Sequence, residues 1–590
     1  MLLAGGLILP YAPGAAQAPA SVESRLAAQN GLFEEYYQSR LKELPTLATN
    51  LGDYRYNDRL ADYSLAEVAR EQVENDAFML RLQAISTKGF AEQDRLSHDL
   101  LLSVLSDNRA YRTLKSYEMP GDASGNSVGV HVALADLPLS MPLDSVKHYE
   151  DYIARLHQIP VALAQTEDNM RVGMKDGLMP VKFLLEKVPV QCDGIIVADP
   201  FLGPINKLPA SFSAEDKARL TKAITDAVNN EVLPAYKAFG EFVAKDYAPH
   251  GRTVLGINSL PDGARRYQAA IHIMTTTDMT PDAIHALGLK EIARIESEMT
   301  AIATKQGFAD LASFRASVKS NPKYHATSSE QILEEYRKYI VQMEAKLPEL
   351  FTFIPGKPVT VEAIPAFQPA MATHAIPGTP DGSRPGRVVV QTSHPTHRTL
   401  INDEAIAYHE GTPGHIFQFS VARAQTGLPK FRVAYFNSGY IEGWGLYAEQ
   451  LGKEVGFYQD PVSDYGRLTS ELFRAVRLVV DTGLHSQGWT RDQAVAYFRK
   501  EDCIDEPLIQ AEVDRYIASP AQALSYKLGQ LKFRELRARA QAELGPKFDV
   551  RTFHDEMLSG GVLPLGMLDA RTNSWVAAQK AAKTTVVITP

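Results

Sequence analysis

The segment YHEGTPGH, residues 408–415, is the most informative part of this 590-residue chain. A second segment, EGWGLYAE, follows it at residues 442–449. An apolar stretch at residues 405–407 leads into the first segment and is suited to a buried helix. The two segments supply two imidazoles and two carboxylates within a short span: His409, His415, Glu410 and Glu442. Such a set is the raw material of a catalytic metal site.

The spacing of the two histidines differs from that of the common zinc-hydrolase motif. In His-Glu-x-x-His the histidines are four residues apart, so that one helix face presents both to the metal. His409 and His415 are six residues apart, and on a regular helix of about 3.6 residues per turn they would point roughly 120° away from each other. A regular helix therefore cannot hold one ion between them.

Pro413 and Gly414 offer a way to restore that geometry. Pro413 cannot donate a backbone hydrogen bond to the carbonyl of His409, and Gly414 tolerates backbone angles that other residues resist. We predict that two residues are looped out of the helix here, which returns His415 to the face of His409; such bulges are frequent at functional sites. In the alternative, the helix simply stops and both histidines are ordinary polar residues.

The paired motifs resemble a large, mostly bacterial domain-of-unknown-function family of predicted zinc peptidases. That family is placed among the zincins whose third ligand is a glutamate on a following helix. The resemblance covers roughly residues 38–576, and further matching segments are NMRVGM at 169–174, TTTDMT at 275–280 and ALSYKLGQL at 523–531. It implies a mainly α-helical (α+β), zincin-like metallopeptidase with a small β-sheet and a deep cleft between two helical lobes.

The resemblance also implies a role for each residue of the two motifs. His409 and His415 are expected to be the first two ligands and Glu442 the third, which leaves one position for a water whose pKa zinc lowers to about 7. Glu410 is expected to take a proton from the attacking water and pass it to the departing amine. Mixed His and Glu ligation favours one Zn²⁺ per chain. Glu449 either orients a ligating histidine or is a buried ion-pair partner.

A peptidase of this kind also needs a donor for the oxyanion that forms on the attacked carbonyl. The segment DRYIASPAQ, residues 514–522, resembles the Arg-Tyr segment that supplies such a tyrosine in helical dipeptidyl carboxypeptidases of the same clan. We therefore predict Tyr516 as the oxyanion donor, with Tyr526 as the second candidate. Arg515 and Lys527 are candidates for binding the C-terminal carboxylate of a substrate.

Two further groups of polar residues leave alternatives open. Arg477, Asp481 and His485 follow one another at intervals of four and share a helix face, either as a salt-bridge ladder or as part of the cleft, where Arg477 would meet substrate. His394 and His397 lie in a loop before the metal helix, where a histidine is usually not a ligand.

Composition and charge limit the classes of function. The formal net charge of -9 argues against a nucleic-acid or anionic-membrane surface. The 45% hydrophobic content is ample for a large core. Residues 1–18 are typical of a signal peptide with an Ala-x-Ala cleavage site, which predicts a periplasmic or secreted protein. No later run has the length of a transmembrane helix.

The remaining chain divides into two regions by predicted secondary structure, without a recognisable linker between them. Residues 19–350 form a mainly helical lobe, in which Ser64, Ser213 and Thr280 are predicted helix caps. Residues 351–590 form a catalytic region continuous with it. Short β-branched runs at 359–361 and 388–392 predict strands. The candidate edge strand for pairing with an extended peptide is 388–393.

The sequence therefore predicts a zinc-dependent peptidase that cleaves short peptides, with carboxypeptidase and oligopeptidase action both compatible. The alternative is a non-catalytic peptide-binding or scaffold protein that has kept a metallopeptidase fold. Glu410 argues against this alternative, because a binding protein has no need of the base.

Overall fold

The computed structural model describes residues 20–120, 129–356, 359–364, 373–379, 384–393 and 395–581. The predicted signal peptide, His394 and the side chain of His397 lie outside the described residues. The helices of the first part are α1 (Val22–Glu43), α2 (Pro45–Asn50), α3 (Leu65–Gln83), α4 (Glu92–Thr113), α5 (Val130–Ala135), α6 (Leu137–Ser140), α7 (Val146–Leu156), α8 (Ile159–Asp176), α9 (Lys182–Leu185), α10 (Lys187–Ala198), α11 (Ala214–Ala227), α12 (Leu233–Phe242), α13 (Gly263–Thr275), α14 (Pro281–Lys305), α15 (Leu311–Ser320), α16 (Ser329–Glu344) and α17 (Leu347–Leu350).

The second part begins with three strands, β1 (Val359–Ala363), β2 (His374–Ile376) and β3 (Gly386–Val390). It continues with α18 (Asp403–Glu410), α19 (His415–Ala424), α20 (Lys430–Val433), α21 (Ser438–Glu454), α22 (Pro461–His485), α23 (Arg491–Glu501), α24 (Glu506–Ala518), α25 (Ser525–Leu544), α26 (Val550–Ser559) and α27 (Leu565–Ala581). The prediction of a mainly helical chain with a small sheet is confirmed.

Local sequence signals set several helix starts. The Ser64, Ser213 and Thr280 side chains accept hydrogen bonds from backbone N–H groups in the first turns of α3, α11 and α14, as predicted. Each cap satisfies a donor that the helix itself leaves without a partner. None of the helices in the described ranges has the length and apolar character needed to cross a membrane.

The sheet has the strand order β1-β3-β2, with β1 parallel and β2 antiparallel to β3. The prediction that residues 388–393 form an edge strand is therefore wrong. Val388, Val389 and Val390 are all buried, as expected of a central strand covered on both faces. The missing information was β2, a three-residue strand whose sequence carries no β-branched run.

Buried apolar residues join distant parts of the chain around α18 and α21. One cluster contains Leu32 of α1, Leu100 of α4, Trp444 of α21 and Phe533 of α25. Helix α22 is buried at every residue from Tyr465 to His485, and α14 packs along it. Charged residues on α22 are consequently held inside the protein, where they need partners.

Candidate metal centre

The HEGTPGH segment interrupts a helix in the way its proline and glycine predict. Helix α18 ends at Glu410, a turn follows, and α19 begins at His415. Across the turn, Gly414 N donates to Tyr408 O over 2.9 Å and Phe417 N donates to Gly411 O over 3.3 Å. These bonds span six residues instead of the four of a regular helix, so two residues are looped out and the predicted bulge is confirmed.

The turn brings the two imidazoles together. The ring centroids of His409 and His415 are 4.7 Å apart, and their Nε2 atoms lie 3.5 and 3.3 Å from Glu442 Oε2 on α21. Ligand atoms of His409, Glu410 and His415 also lie within 4.8 Å of one another. The three predicted ligands and the predicted base thus occupy one buried cluster, contributed by α18, α19 and α21.

Glu449 fixes the orientation of one imidazole. Its Oε1 is 2.8 Å from His409 Nδ1, and the glutamate is only 2% exposed. With Nδ1 bonded there, the Nε2 atom of His409 is the one that faces Glu442. Arg474 lies farther off, with Nη2 at 3.8 Å from the same Glu449 oxygen. Both alternatives predicted for Glu449 are therefore present, and the histidine contact is the shorter.

The carboxylates of the cluster favour a positive charge beside them. Burial raises the pKa of the Glu442 carboxyl, but hydrogen bonds with His409 and His415 outweigh it and hold that pKa well below its ordinary value. Burial lowers the pKa of His409, but hydrogen bonds to Glu442 and Glu449 outweigh it and raise the pKa to about 9. The carboxylates thus favour a cation between themselves and the imidazoles.

A divalent cation fits this donor set. Two imidazoles and a carboxylate are zinc ligands, and a ligating histidine usually bonds an acceptor through its other nitrogen, as His409 does with Glu449. His415 Nδ1 is buried without a hydrogen-bond partner among the described residues. The Glu442 side chain keeps 16% of its surface exposed, so the cluster is reached by solvent from the Glu442 side.

Two residues of the second motif have structural roles that the sequence did not reveal. A Cβ atom at Gly445 would lie 2.7 Å from His409 Nε2, so the imidazole rests directly on this glycine. Trp444 Nε1 donates to Pro413 O over 2.9 Å and holds the turn against α21. A glycine in a helix interior is the only signal that could have pointed to this close approach.

Tyr516, predicted as the oxyanion donor, is fully buried and already engaged. Its hydroxyl donates to Glu512 over 2.6 Å and accepts from Arg477 Nε over 2.8 Å. Arg515 bonds the same Glu512 carboxylate, with Nη2 at 2.7 Å. These three side chains therefore form a closed network around Glu512.

Tyr526, the second candidate, lies against His409, a predicted metal ligand. Its ring is stacked on His409 with centroids 6.4 Å apart and an interplanar angle of 24°. Its hydroxyl accepts a hydrogen bond from Gln522 over 3.4 Å, and no acceptor among the described residues takes the hydroxyl proton. Helices α21 and α25 bring it there, because Gly443 and Gly529 let their backbones touch: a Cβ at Gly443 would lie 2.4 Å from Gly529 Cα.

Lys527 lies away from the imidazoles in a buried charge network. Its Nζ is 2.6 Å from Glu471, 3.1 Å from Glu291 and 2.7 Å from Gln530 Oε1, and the side chain is fully buried. The network satisfies a charge that would otherwise be costly to bury. The structure does not bring Lys527 together with the predicted ligands.

The residues Arg477, Asp481 and His485 do not bond one another among the contacts of the described chain. The His485 ring nitrogens lie 3.2 Å from Ile257 N and 2.9 Å from Tyr516 O. Asp481 accepts from Tyr267 OH over 2.6 Å and from the backbone of Ala521. Asp481 and His485 therefore connect α22 to neighbouring elements, and the described contacts show no salt-bridge ladder. A role of Arg477 or His485 in the cleft stays a prediction.

Two surface cavities lie among the described residues, and one of them is lined partly by α19. One of about 270 Å³ lies between α4 and α13 around Asp107 and His272. The other, of about 320 Å³, is lined by Phe353, Val421 and Asp555 among others. Neither contains a residue of the His409 cluster, so the deep cleft remains a prediction.

Fold and site together define a mainly helical protein with a buried two-histidine, one-glutamate cluster next to a small mixed sheet. Residues 45–571 match the family of bacterial proteins of unknown function DUF885, and the chain belongs to that family. The match confirms the family that the motifs suggested. No curated protein matches the chain.

Solved structures from Colwellia and Shewanella share this fold. A "putative lipoprotein" from Colwellia psychrerythraea is 28% identical, with a TM-score of 0.88 over 95% of this chain and 100% of its own. A "putative lipoprotein of unknown function" from Shewanella oneidensis is 18% identical, with a TM-score of 0.71 over 93% and 99% of the two chains. A "putative oligoendopeptidase F" from Bacillus anthracis str. Ames, 12% identical over 87% and 96%, has a TM-score of 0.29, too low to carry an argument.

Proposed function

We propose that this protein is a zinc-dependent peptidase that hydrolyses short peptides in a zincin-like site. The observation that carries the proposal is the convergence of two imidazole Nε2 atoms on one carboxylate oxygen, at 3.5 and 3.3 Å, with a second glutamate beside them. His409, His415 and Glu442 are the ligands. When bound, zinc supplies a Lewis acid that polarises the carbonyl and lowers the pKa of a water.

Glu410 is the general base in this proposal. It accepts a proton as water adds to the peptide carbonyl, and it delivers that proton to the amine nitrogen when the C–N bond breaks. A carboxylate oxygen of Glu410 lies within 4.8 Å of ring nitrogens of both His409 and His415, which supports a role beside the ligands. The products are a carboxylic acid and an amine, which balances one water consumed per bond.

Tyr526 is the oxyanion donor in this proposal, in place of Tyr516. Its ring lies on His409 and its hydroxyl proton has no acceptor in the described chain. Tyr516 is the weaker candidate because its hydroxyl proton already goes to Glu512. A donor aimed at the developing oxyanion is among the largest contributions to acyl-transfer catalysis.

The extended substrate lies along β2 in this proposal. β2 is an edge strand of the described sheet and contacts α19, the helix that begins with His415. Pairing through backbone amides suits peptides of varied sequence. The open side of the cluster at Glu442 then faces the cleft between the helical lobe, 19–350, and the catalytic region, 351–590.

A periplasmic or secreted location accompanies this function. The Colwellia and Shewanella structures are each described as a "putative lipoprotein", and the apolar N-terminal segment of this chain has the features of an export signal. Peptides in the cell envelope are consequently the substrates to test first.

Metal content and hydrolysis of a short-peptide pool, measured on the same preparations, test the proposal. We expect about one zinc per chain in the wild type and in Glu410→Gln, and none in His415→Ala. Hydrolysis should be lost in both variants, while His157→Ala, which changes an exposed histidine, should keep metal and activity. A wild type that binds no zinc when supplied with it, or a Glu410→Gln variant with full activity, would overturn the mechanism.

A further inference from the structure

Four flat groups form a column that ends on the metal cluster. The guanidinium carbon of Arg477 lies 4.1 Å from the ring centroid of Phe473 and 4.3 Å from that of Tyr526. The Tyr526 ring in turn stacks on His409 at 6.4 Å. Arg477 is therefore the charged group next in line behind the tyrosine that covers a metal ligand.

The hydrogen bonds of Arg477 leave one end of its guanidinium unused. Nε donates to Tyr516 OH over 2.8 Å and Nη2 donates to Glu512 over 3.0 Å. Nη1 is buried and has no hydrogen-bond partner among the described residues. Only 5% of the residue is exposed. Leaving buried donors unsatisfied costs free energy, so this end of the side chain is suited to a ligand that supplies an acceptor.

Two arginines share one carboxylate behind Tyr526. Arg477 and Arg515 both pair with Glu512, and neither forms an ion pair with another carboxylate in the described chain. Arg474 Nε is a second buried nitrogen without a hydrogen-bond partner among the described residues. A guanidinium pairs best with a planar anion such as a carboxylate. The group that would complete the hydrogen bonds of Arg477 is therefore a planar anion with one negative charge.

We infer that Arg477 binds the C-terminal carboxylate of the substrate, which makes the protein a peptidase that acts at free C termini. The inference rests on the proposed function, because the anion is placed by reference to the peptide bond at the metal cluster. Nη1 supplies the hydrogen bonds, and the bonds to Tyr516 and Glu512 hold the guanidinium in place. Peptides with a blocked C terminus are the class this subsite rejects.

The distances limit how much of the peptide leaves. An extended chain advances about 3.3–3.6 Å per residue. Ring contacts of 6.4 and 4.3 Å lie between His409 and the Arg477 guanidinium. These contacts place the guanidinium carbon within about 11 Å of the His409 ring. An extended leaving group of at most about three residues spans that separation, so the products are a free amino acid or a peptide of two or three residues.

Matched substrates test the subsite without any variant. An acetylated tripeptide of alanines with a free C terminus is compared with the same peptide as its C-terminal amide. Losing a hydrogen bond to a charged group should lower kcat/KM for the amide by about 10- to 100-fold. Equal turnover of both forms would overturn the inference and leave the proposed function intact.

Arg477→Lys then assigns the discrimination to this residue. Lysine keeps the buried charge but cannot present the Nη1 end, so the acid-to-amide ratio should fall to within a few-fold of one. The ratio is measured within one preparation, so a fraction of unfolded protein cancels. Arg499→Lys is the control, because it makes the same exchange at a surface arginine that pairs with Glu506; its ratio should match the wild type. A ratio unchanged in Arg477→Lys would assign the carboxylate elsewhere.

A binding measurement separates the two proposals. Calorimetric titration of zinc-loaded Glu410→Gln with acetyl-dialanine and with its amide reports recognition without turnover. Tighter binding of the acid, lost in the Glu410→Gln/Arg477→Lys double variant, supports the subsite even if no peptide is hydrolysed. Absence of any acid preference in both binding and hydrolysis overturns it, whatever becomes of the catalytic proposal.

Discussion

Two tyrosines ten residues apart differ in what their hydroxyl groups can do. Tyr526 lies on His409 with its proton free of any acceptor in the described chain, whereas Tyr516 donates to Glu512. We expect Tyr526→Phe to lower kcat by about 10²- to 10³-fold with KM little changed. Tyr516→Phe should keep kcat within a few-fold and lower the free energy of unfolding by about 1–2 kcal/mol. Steady-state kinetics and urea unfolding compare them, and the reverse ranking of kcat would return the oxyanion role to Tyr516.

Glu449 is expected to set the affinity for metal through His409. Its carboxylate accepts from His409 Nδ1 over 2.8 Å, which fixes the ring and makes it a better ligand. We expect Glu449→Gln to weaken zinc binding by about 10- to 100-fold, measured by competition with a chelating dye. Glu454→Gln, on the same helix but paired with Arg537 at the surface, should bind zinc like the wild type. Equal affinity in both variants would show that Glu449 is only an ion-pair partner.

At the scale of elements, α21 approaches His409 of α18 at a position that has no side chain. A Cβ at Gly445 would lie 2.7 Å from His409 Nε2. Alanine is ordinarily about 1 kcal/mol better than glycine in a helix interior, so the substitution should leave the helix intact and displace the imidazole. We expect Gly445→Ala to lose zinc while its circular dichroism spectrum stays that of the wild type.

Gly31→Ala is the matched control for that experiment. Gly31 lies in the interior of α1, and a Cβ there would have no atom within 4 Å. This variant should keep its zinc and unfold at a slightly higher urea concentration. Retention of full zinc by Gly445→Ala would mean that the imidazole has room to move and that the glycine is not required by the site.

Sequence predicted those elements whose causes are local. Pro413 and Gly414 act on the helix that contains them, so the bulge and the approach of His415 could be anticipated. Tyr516 and Tyr526 have similar local surroundings, and only the packing of α25 against α21 decides which one reaches His409. β2 was missed for the same reason, because its pairing with β3 is tertiary and its three residues lack a strand pattern.

For the molecule as a whole, the burial of His554 makes the free energy of unfolding depend on pH in the acidic range. His554 lies between Tyr447 OH and Leu350 O, and burial together with Arg537 lowers its pKa to about 3. The unfolded chain binds this proton near pH 6.5, so the stabilising contribution is complete above that pH and is lost as pH falls toward 3. His554→Gln should flatten the acid side of the curve of unfolding free energy against pH. Identical slopes for variant and wild type between pH 6.5 and 4 would contradict this.

Asp481 has the opposite effect to His554, because it makes the folded protein less stable as the pH rises. Burial raises the pKa of this carboxyl to about 7, against hydrogen bonds from Tyr267 and Ala521 that favour its ionised form. The folded protein therefore holds a proton between about pH 4 and 7 that the unfolded chain has released, so its contribution to stability disappears as pH rises through 7.

Asparagine can accept the same two hydrogen bonds without ionising. We expect Asp481→Asn to gain a few kcal/mol of unfolding free energy over the wild type at pH 8 relative to pH 5, measured by urea unfolding of zinc-free protein so that metal binding does not contribute. A gain that is the same at both pH values would mean that Asp481 is ionised throughout and that its cost is met by the bonds to Tyr267 and Ala521.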